Sequence, residues 1–157
     1  MKDNNLKELD LLDNVSGEIK QFLTFEVEEE ILGVDIDYVL DIIGVQRITE
    51  IPKQPEFIKG LINLRGKILP VMDIRLRFNK DYRPYDDRSC IIVMEYNENK
   101  IGVAVDRVLE VIKTNQELVS NPPENSREYN NNYLSGVYEN NDTVTMILDC
   151  EKLFSFY

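Results

Sequence analysis

The sequence contains no histidine and no tryptophan, and only two of its 157 residues are cysteines. Without histidine, the chain has no imidazole that could act as a general base, accept a phosphoryl group or bind a metal ion. Two cysteines form neither a disulfide framework nor a zinc site, and Cys90 and Cys150 both lie in apolar runs typical of buried free thiols. We therefore expect no metal, no cofactor and no catalytic residue.

Long apolar segments and a secretory leader are also absent. No apolar run approaches the roughly 20 residues that a membrane helix requires. The N-terminus, MKDNNLKELDLLDNV, is too acidic and too polar for a signal peptide. These features predict a cytoplasmic protein without direct membrane insertion, and the hydrophobic fraction of 43% is typical of a globular chain.

Negative charge dominates the composition, with a net charge of −11. Such a surface repels nucleic acids and anionic membranes on average. The balance is reversed in the middle of the chain, because residues 51–100 contain 10 basic and 7 acidic residues. A basic segment in an acidic chain indicates either an interface or random scatter of surface charge, and composition leaves both readings open.

The chain divides into a predicted flexible leader, residues 1–18, and a single domain, residues 19–157. Leucines in the leader are spaced irregularly among polar residues. From Ile19 onward, alternating apolar residues predict a strand, a turn at the three glutamates 28–30 and a return strand. Further hairpins are predicted over residues 61–73, 90–105 and 137–149, the first with Arg65 and Gly66 at its turn.

A few short helices are predicted between these strands. One follows Asp37, a candidate N-cap, because apolar residues recur at helical spacing at Ile36, Val39, Leu40 and Ile43. Another spans residues 54–60, with a proline near its start and Gly60 at its end. Helical turns are also expected at residues 74–78 and 151–156, and a long loop at residues 114–133.

An internal repeat organises these elements. Residues 32–43, LGVDIDYVLDII, align with residues 101–112, IGVAVDRVLEVI, and residues 57–78 align with residues 133–154 in the same order. The repeat predicts an all-β fold of two five-stranded barrel subdomains, one near residues 20–80 and one near residues 88–157. Because a half of this size is marginal alone, we expect the subdomains to share a hydrophobic core.

Duplication separates structural positions from functional ones. Residues shared by both copies are predicted to be structural: the acidic pairs Asp37/Asp106 and Asp73/Asp149 as caps or turn residues, and the pair Gly60/Gly136 for its backbone. The copies differ most at one hairpin tip, which carries NLRGK in the first copy and ENNDT in the second. The same hairpin therefore presents a cationic surface in one copy and an acidic surface in the other.

Two alternative functions account less well for the sequence. A small barrel that binds single-stranded nucleic acid requires a basic groove interleaved with aromatic platforms, and the aromatic residues of segment 53–88 do not alternate convincingly with its charges. A small enzyme using Asp73 or Asp149 would lack any recognisable nucleophile, phosphate loop or base. Both alternatives are therefore weaker than a protein-binding adaptor.

The stretch FIKGLINLRGKILPVMDIRLRF, residues 57–78, closely resembles the signature of the CheW family of bacterial chemotaxis coupling proteins. The resemblance extends over residues 22–154, and the repeated blocks match its flanking motifs. It implies two SH3-like barrels around a shared core. It also implies a non-enzymatic adaptor that joins the cytoplasmic tips of chemoreceptors to the regulatory domain of the histidine kinase CheA.

The resemblance further implies a set of receptor-binding residues in and beside a groove between the barrels. The matching positions are Val39, Gly60 and Arg65. A family glutamate that pairs with the arginine corresponds to Asp41, which is one methylene shorter. Val39 and Gly60 also admit purely structural readings, as a core residue and a helix stop, whereas Arg65 at a hairpin tip is the strongest functional candidate.

Overall fold

The computed structural model describes residues 18–122 and 133–156, so residues 1–17 of the predicted leader and the centre of the loop 114–133 lie outside the described residues. Within the described part the protein is almost entirely β-structure. Its ten strands are β1 (Ile19–Val27), β2 (Glu30–Asp35), β3 (Val39–Gly44), β4 (Ile58–Leu64), β5 (Lys67–Asp73), β6 (Cys90–Tyr96), β7 (Asn99–Val105), β8 (Arg107–Asn115), β9 (Leu134–Asn140) and β10 (Thr143–Leu148).

The strands form two five-stranded sheets. Sheet one has the order β8-β1-β2-β10-β9, and sheet two has the order β3-β6-β7-β5-β4. Most neighbours are antiparallel, but each sheet contains one parallel pair, β2 with β10 in sheet one and β7 with β5 in sheet two. The predicted all-β class with two five-stranded units is confirmed.

The subdomain limits near residues 20–80 and 88–157 are corrected by this strand order. The hairpin β1–β2 belongs to the first half of the sequence but lies in sheet one with β8, β9 and β10. The hairpin β6–β7 belongs to the second half but lies in sheet two with β3, β4 and β5. Each half of the chain therefore donates its first hairpin to the sheet that the other half completes.

The two sheets follow the predicted repeat. Taking the strands of each copy in chain order, β1 to β5 correspond to β6 to β10, and the equivalent strands occupy equivalent places in the two sheet orders. The parallel pairs correspond in the same way. The duplication therefore describes the molecule correctly, although the exchanged hairpins were not visible in the sequence.

A shared hydrophobic core joins the sheets, as expected. Its buried residues come from both: Leu23, Phe25, Val27, Leu32, Val34, Leu134 and Leu148 from sheet one, and Ile58, Met72, Ile92, Met94, Ile101, Val103 and Val105 from sheet two. A second, smaller core lies within sheet two and contains Ile62, Leu69, Val71, Ile91, Val93 and Ala104. The apolar run of β6 is continuous because its alternating residues pack in different cores.

Two of the predicted helices are wrong. A single 3-10 turn spans Ile36–Tyr38, and Asp35, not Asp37, accepts the capping hydrogen bond. The chain continues as strand β3, in which exposed and half-buried residues alternate. The four apolar positions follow the helical spacing, but the pairing of β3 with β6 overrides it and leaves Val39 and Ile43 half-buried and Leu40 exposed. Residues 58–60 likewise belong to β4, not to a helix.

The helical turns after the hairpins of both copies are confirmed. They are α1 (Ile74–Arg77) and α2 (Cys150–Leu153), capped by the side chains of Asp73 and Asp149 respectively. Cys150 is buried, and burial raises the pKa of its thiol to about 12. Cys90 is only half-buried, so the expectation of two buried thiols holds for one of them.

A buried ion-pair cluster connects the two sheets. The guanidinium of Arg75, whose side chain is 8% exposed, donates from Nε and Nη2 to the two carboxylate oxygens of Asp106 and from Nη1 to Glu28 at 2.7 Å. The backbone N–H of Glu28 also donates to Asp106, and Lys80 pairs with Glu28 at 3.0 Å. Glu28 lies in the turn of the donated hairpin β1–β2, so the cluster fastens that hairpin to α1.

The environment of Asp106 determines how this cluster responds to pH. Burial opposes ionisation of the carboxyl, but the hydrogen bonds from Arg75 and from the backbone of Glu28, with the nearby positive charges, outweigh it, so the pKa of Asp106 is lowered. A carboxylate with a lowered pKa in the folded state stabilises the fold above its unfolded pKa. Asp106 was expected to be a cap, and its pairing with Arg75 corrects that expectation.

We predict that Arg75→Met lowers the free energy of unfolding by about 3 kcal/mol, because two carboxylates lose a buried partner. The control Arg88→Met, at an exposed position, should change it by less than about 0.5 kcal/mol. Denaturant titrations measure both values. Equal effects of the two substitutions would show that the cluster contributes nothing beyond an exposed arginine.

The stability advantage of the wild type over Asp106→Asn should be constant above about pH 5 and shrink as the pH falls below about 4. An advantage that grew on acidification would contradict the lowered pKa.

Candidate partner-binding site

A tight turn places Arg65 at the tip of the β4–β5 hairpin. Strands pair up to Leu64 and Lys67, so the turn has only two central residues, and both have positive φ, 52° at Arg65 and 83° at Gly66. The side chain of Asn63 accepts a hydrogen bond from the Gly66 N–H at 2.9 Å and closes the turn. The Arg65 side chain is 79% exposed, so its guanidinium is available to a partner.

Asp41 lies opposite this tip on strand β3. Its Oδ2 is 3.3 Å from Nη2 of Arg65, and its Oδ1 accepts a hydrogen bond from the N–H of Ile42 at 2.8 Å. The expected pairing is therefore present despite the shorter side chain. The contact brings β3, an edge strand of sheet two, against the tip of the β4–β5 hairpin.

A shallow pocket of about 210 Å³ lies beside the ion pair. Its apolar residues are Leu40, Leu64, Leu69 and Val93, and its charged residues are Asp41, Arg65, Lys67 and Lys100. All eight belong to sheet two or its hairpin turn, so the pocket is formed by that sheet alone. Leu69 and Val93 are also members of the smaller core, which means that the pocket floor is rigidly packed.

Val39 and Gly60 do not line this pocket. Val39 is half-buried and packs against the shared core. Gly60 is buried in β4, where it pairs with Val71. The structure therefore brings Asp41 and Arg65 together, whereas Val39 lies against the shared core and Gly60 is buried within β4.

Exposed apolar side chains near the ion pair were missed in the sequence. The alternation of β3 places Leu40 and Ile42 outward, with 50% and 42% of their surface exposed, and Ile68 on β5 is 58% exposed. Large apolar residues with such exposure next to charged groups are typical of protein–protein contact surfaces. Correct assignment of β3 as a strand would have revealed the first two.

Comparison with known proteins agrees with this architecture. The model of the CheW-like domain family matches residues 21–156. The chemotaxis protein CheW of Klebsiella aerogenes is 34% identical over 136 residues, covering 87% of this chain and 82% of that protein. CheW of Treponema pallidum is 31% identical over 145 residues, covering 90% and 85% respectively. The crystal structure of scaffolding protein TtCheW from Thermoanaerobacter tengcongensis superposes with a TM-score of 0.80, at 36% identity, and covers 87% of this chain and 93% of that one.

The chain belongs to the CheW family. It is therefore a non-catalytic scaffold of bacterial chemotaxis and not an enzyme. This assignment replaces the small-enzyme and nucleic-acid-binding alternatives. Asp73, the residue considered for catalysis, is buried and already engaged, since it caps α1 and accepts a hydrogen bond from Tyr85 at 2.6 Å.

Two kinds of feature are absent from the described residues, 18–122 and 133–156. No helix there is long and apolar enough to cross a membrane. No group of three or more cysteine, aspartate and glutamate side chains in the same residues is arranged to hold a metal ion.

Gly60 of this CheW-family chain has a specific backbone requirement. Its φ is 149°, and a Cβ at this position would lie 2.1 Å from the carbonyl oxygen of Thr49. Thr49 forms an isolated bridge with Leu61, exchanging two hydrogen bonds of 2.8 Å. The equivalent Gly136 is approached equally closely, with a Cβ position 2.3 Å from a methyl group of Val119. The prediction that both glycines are backbone-driven is confirmed.

We predict that Gly60→Ala lowers the free energy of unfolding by at least about 2 kcal/mol, because alanine is strained at this φ and collides with a backbone carbonyl. Gly44→Ala is the matched control in the same sheet, since a Cβ there meets nothing within 4 Å, and it should be nearly neutral. Thermal unfolding of both variants distinguishes them. A Gly60→Ala protein as stable as Gly44→Ala would contradict this steric requirement.

Proposed function

We propose that this CheW-family scaffold couples the cytoplasmic tips of chemoreceptors to the regulatory domain of the histidine kinase CheA. The receptor site comprises the Asp41–Arg65 pair with Val39 and Gly60 as supporting residues. Membership of the family gives the role in chemotaxis, and the exposed ion pair beside exposed apolar side chains supports the assignment of this face.

The observation that carries the proposal is the placement of Arg65. Its side chain is 79% exposed at a hairpin tip, and within residues 18–122 and 133–156 it pairs with a single carboxylate, so most of its donors are free for a partner. Arginine beside partly exposed apolar groups is enriched in interface hot spots. A receptor tip is a helical bundle, and one of its ridges could lie along β3 and the hairpin tip.

An adaptor must hold both partners at once, so the kinase requires a different surface. We assign it to the barrels themselves, which can dock end to end against the similar barrels of the kinase regulatory domain. Strands at barrel ends carry exposed apolar residues outside the candidate site, such as Ile19, Val111 and Val144. Contacts of this kind are mainly apolar and differ in character from the charged receptor site.

We predict that Arg65→Glu weakens binding of a receptor-tip fragment at least about tenfold, equivalent to about 1.4 kcal/mol, and leaves binding of the kinase regulatory domain nearly unchanged. The substitution reverses the charge of the exposed donor group and places it against Asp41. Calorimetric titration of the variant with each partner separately measures both affinities. Equal losses for the two partners would refute separate surfaces, and an unchanged melting temperature excludes a folding defect.

We predict that Asp41→Ala also weakens receptor binding but leaves the melting temperature nearly unchanged, because exposed ion pairs contribute only about 0–1 kcal/mol. The effect arises from loss of the carboxylate that orients Arg65. Glu110→Ala is the control, since Glu110 occupies the equivalent position of the second copy on β8 and should affect neither property. A large drop in stability on Asp41→Ala would show that the pair is structural.

A further inference from the structure

The pocket beside the ion pair contains more positive charge than its own carboxylate neutralises. Its lining includes three cations, Arg65, Lys67 and Lys100, and one carboxylate, Asp41. Asp41 pairs with Arg65, whereas among residues 18–122 and 133–156 neither lysine has an ion-pair partner. The rest of the molecule is acidic, with an overall net charge of −11. The pocket is therefore a local positive site on a negative protein.

The apolar residues of the pocket and its volume also restrict what can bind there. Leu40 is half-exposed at its edge, and Leu69 and Val93 form a buried floor that belongs to the smaller core. The volume of about 210 Å³ is below that of typical ligand pockets, roughly 300–1,000 Å³, and suits a side chain better than a cofactor. A single apolar side chain could cover Leu40 and the floor while a neighbouring carboxylate reaches the lysines.

We propose that this pocket recognises an apolar side chain flanked by a carboxylate on the receptor tip, and that Lys67 and Lys100 select the carboxylate. The inference rests on the proposed receptor function and specifies the chemistry that the receptor must present. We assign the occupant to the receptor because the pocket is continuous with the Asp41–Arg65 pair. The occupant should carry a carboxylate because the lysines of the pocket are positively charged.

The roles of the two lysines differ from that of Arg65. Lys67 is exposed beside the hairpin turn, and Lys100 is half-buried on β7, so the two cations approach the pocket from different strands. A carboxylate between them would gain two favourable interactions without disturbing the ion pair. Such interactions act mainly on the association rate and its salt dependence, because charges at the edge of an interface remain partly solvated.

The test uses the full chain and a soluble fragment of a chemoreceptor cytoplasmic tip from the same organism. The double variant Lys67→Glu/Lys100→Glu should bind the fragment at least about tenfold more weakly than the wild type. The control Lys113→Glu changes an exposed lysine of β8, in the other sheet, and should alter binding less than about twofold. Leu40→Ser should weaken binding without changing the melting temperature, since Leu40 is already half-exposed.

Salt and the partner's own charges provide independent readouts. Raising NaCl from about 0.05 M to about 0.5 M should weaken wild-type binding markedly and that of the double lysine variant much less. Among receptor-tip variants with single acidic residues changed to lysine, at least one should bind the double variant more tightly than it binds the wild type. That exchange of preference would identify the carboxylate that enters the pocket.

The outcomes separate this inference from the function on which it rests. If the wild type binds the receptor tip and the double variant behaves like Lys113→Glu, the pocket has no selective role and only the inference fails. If the double variant loses kinase binding instead, the occupant is the kinase, and the inference is again wrong. If the wild type does not bind the receptor tip at all, while it binds the kinase regulatory domain, the proposed function fails and the inference with it.

Discussion

The parallel pairing of β2 with β10 and of β5 with β7 is the constraint on which the rest of the structure depends. Parallel neighbours cannot be joined by a tight turn, so each of these strands needs a partner from a distant part of the chain. Here the partner comes from the other half of the repeat. Neither half contains all the strands of one sheet, and neither sheet can form without both halves. The shared core and the single folding unit follow from this exchange.

The ion-pair cluster around Arg75 is a consequence of the exchange. Asp106 stands where the chain leaves sheet two for sheet one, and Glu28 lies in the turn of the donated hairpin. Charges buried at this crossing are costly unless they are paired, and Arg75 meets that condition with hydrogen bonds from Nε and Nη2 to Asp106 and from Nη1 to Glu28. The equivalents of Glu28 and Arg75 in the second copy are Asn97 and Glu151, so within the described residues that crossing has no corresponding ion-pair cluster.

The internal repeat predicted which strands of the two copies are equivalent, but not which strands share a sheet. The duplicated blocks predicted the strand equivalences, the caps Asp73 and Asp149, and the glycine pair correctly. They could not predict the exchange, because the same alignment fits two self-contained barrels and two barrels that trade their first hairpins. The misreading of β3 as a helix had a different origin, because Ile36, Val39, Leu40 and Ile43 follow the helical spacing and only the long-range pairing of β3 with β6 overrides it.

The comparison of the two copies singled out the hairpin tip that carries Arg65, and the resemblance to the CheW family implied its pairing with Asp41. The backbone of the turns gives a sharper comparison of the copies than the sequence alone. Left-handed backbone costs an L-residue roughly 1–2 kcal/mol, and asparagine tolerates it best among residues with a side chain. In the β9–β10 turn this position is Asn141, with φ 53°, and in the β6–β7 turn it is Asn97, with φ 50°. Their equivalents in the other copy are Arg65 and Glu28, with φ 52° and 49°.

At both positions the residue that is less suited to left-handed backbone, Glu28 or Arg65, is charged and forms an ion pair. Glu28 binds Arg75 and fixes the donated hairpin, and Arg65 projects its guanidinium beside the pocket. Arg65 and Glu28 are less suited to left-handed backbone than the asparagines at the equivalent positions. Their presence therefore indicates a role other than forming the turn. For Glu28 that role is visible inside the molecule. For Arg65 the internal partner, Asp41, leaves most of the side chain exposed, which agrees with the proposal that a partner protein binds there.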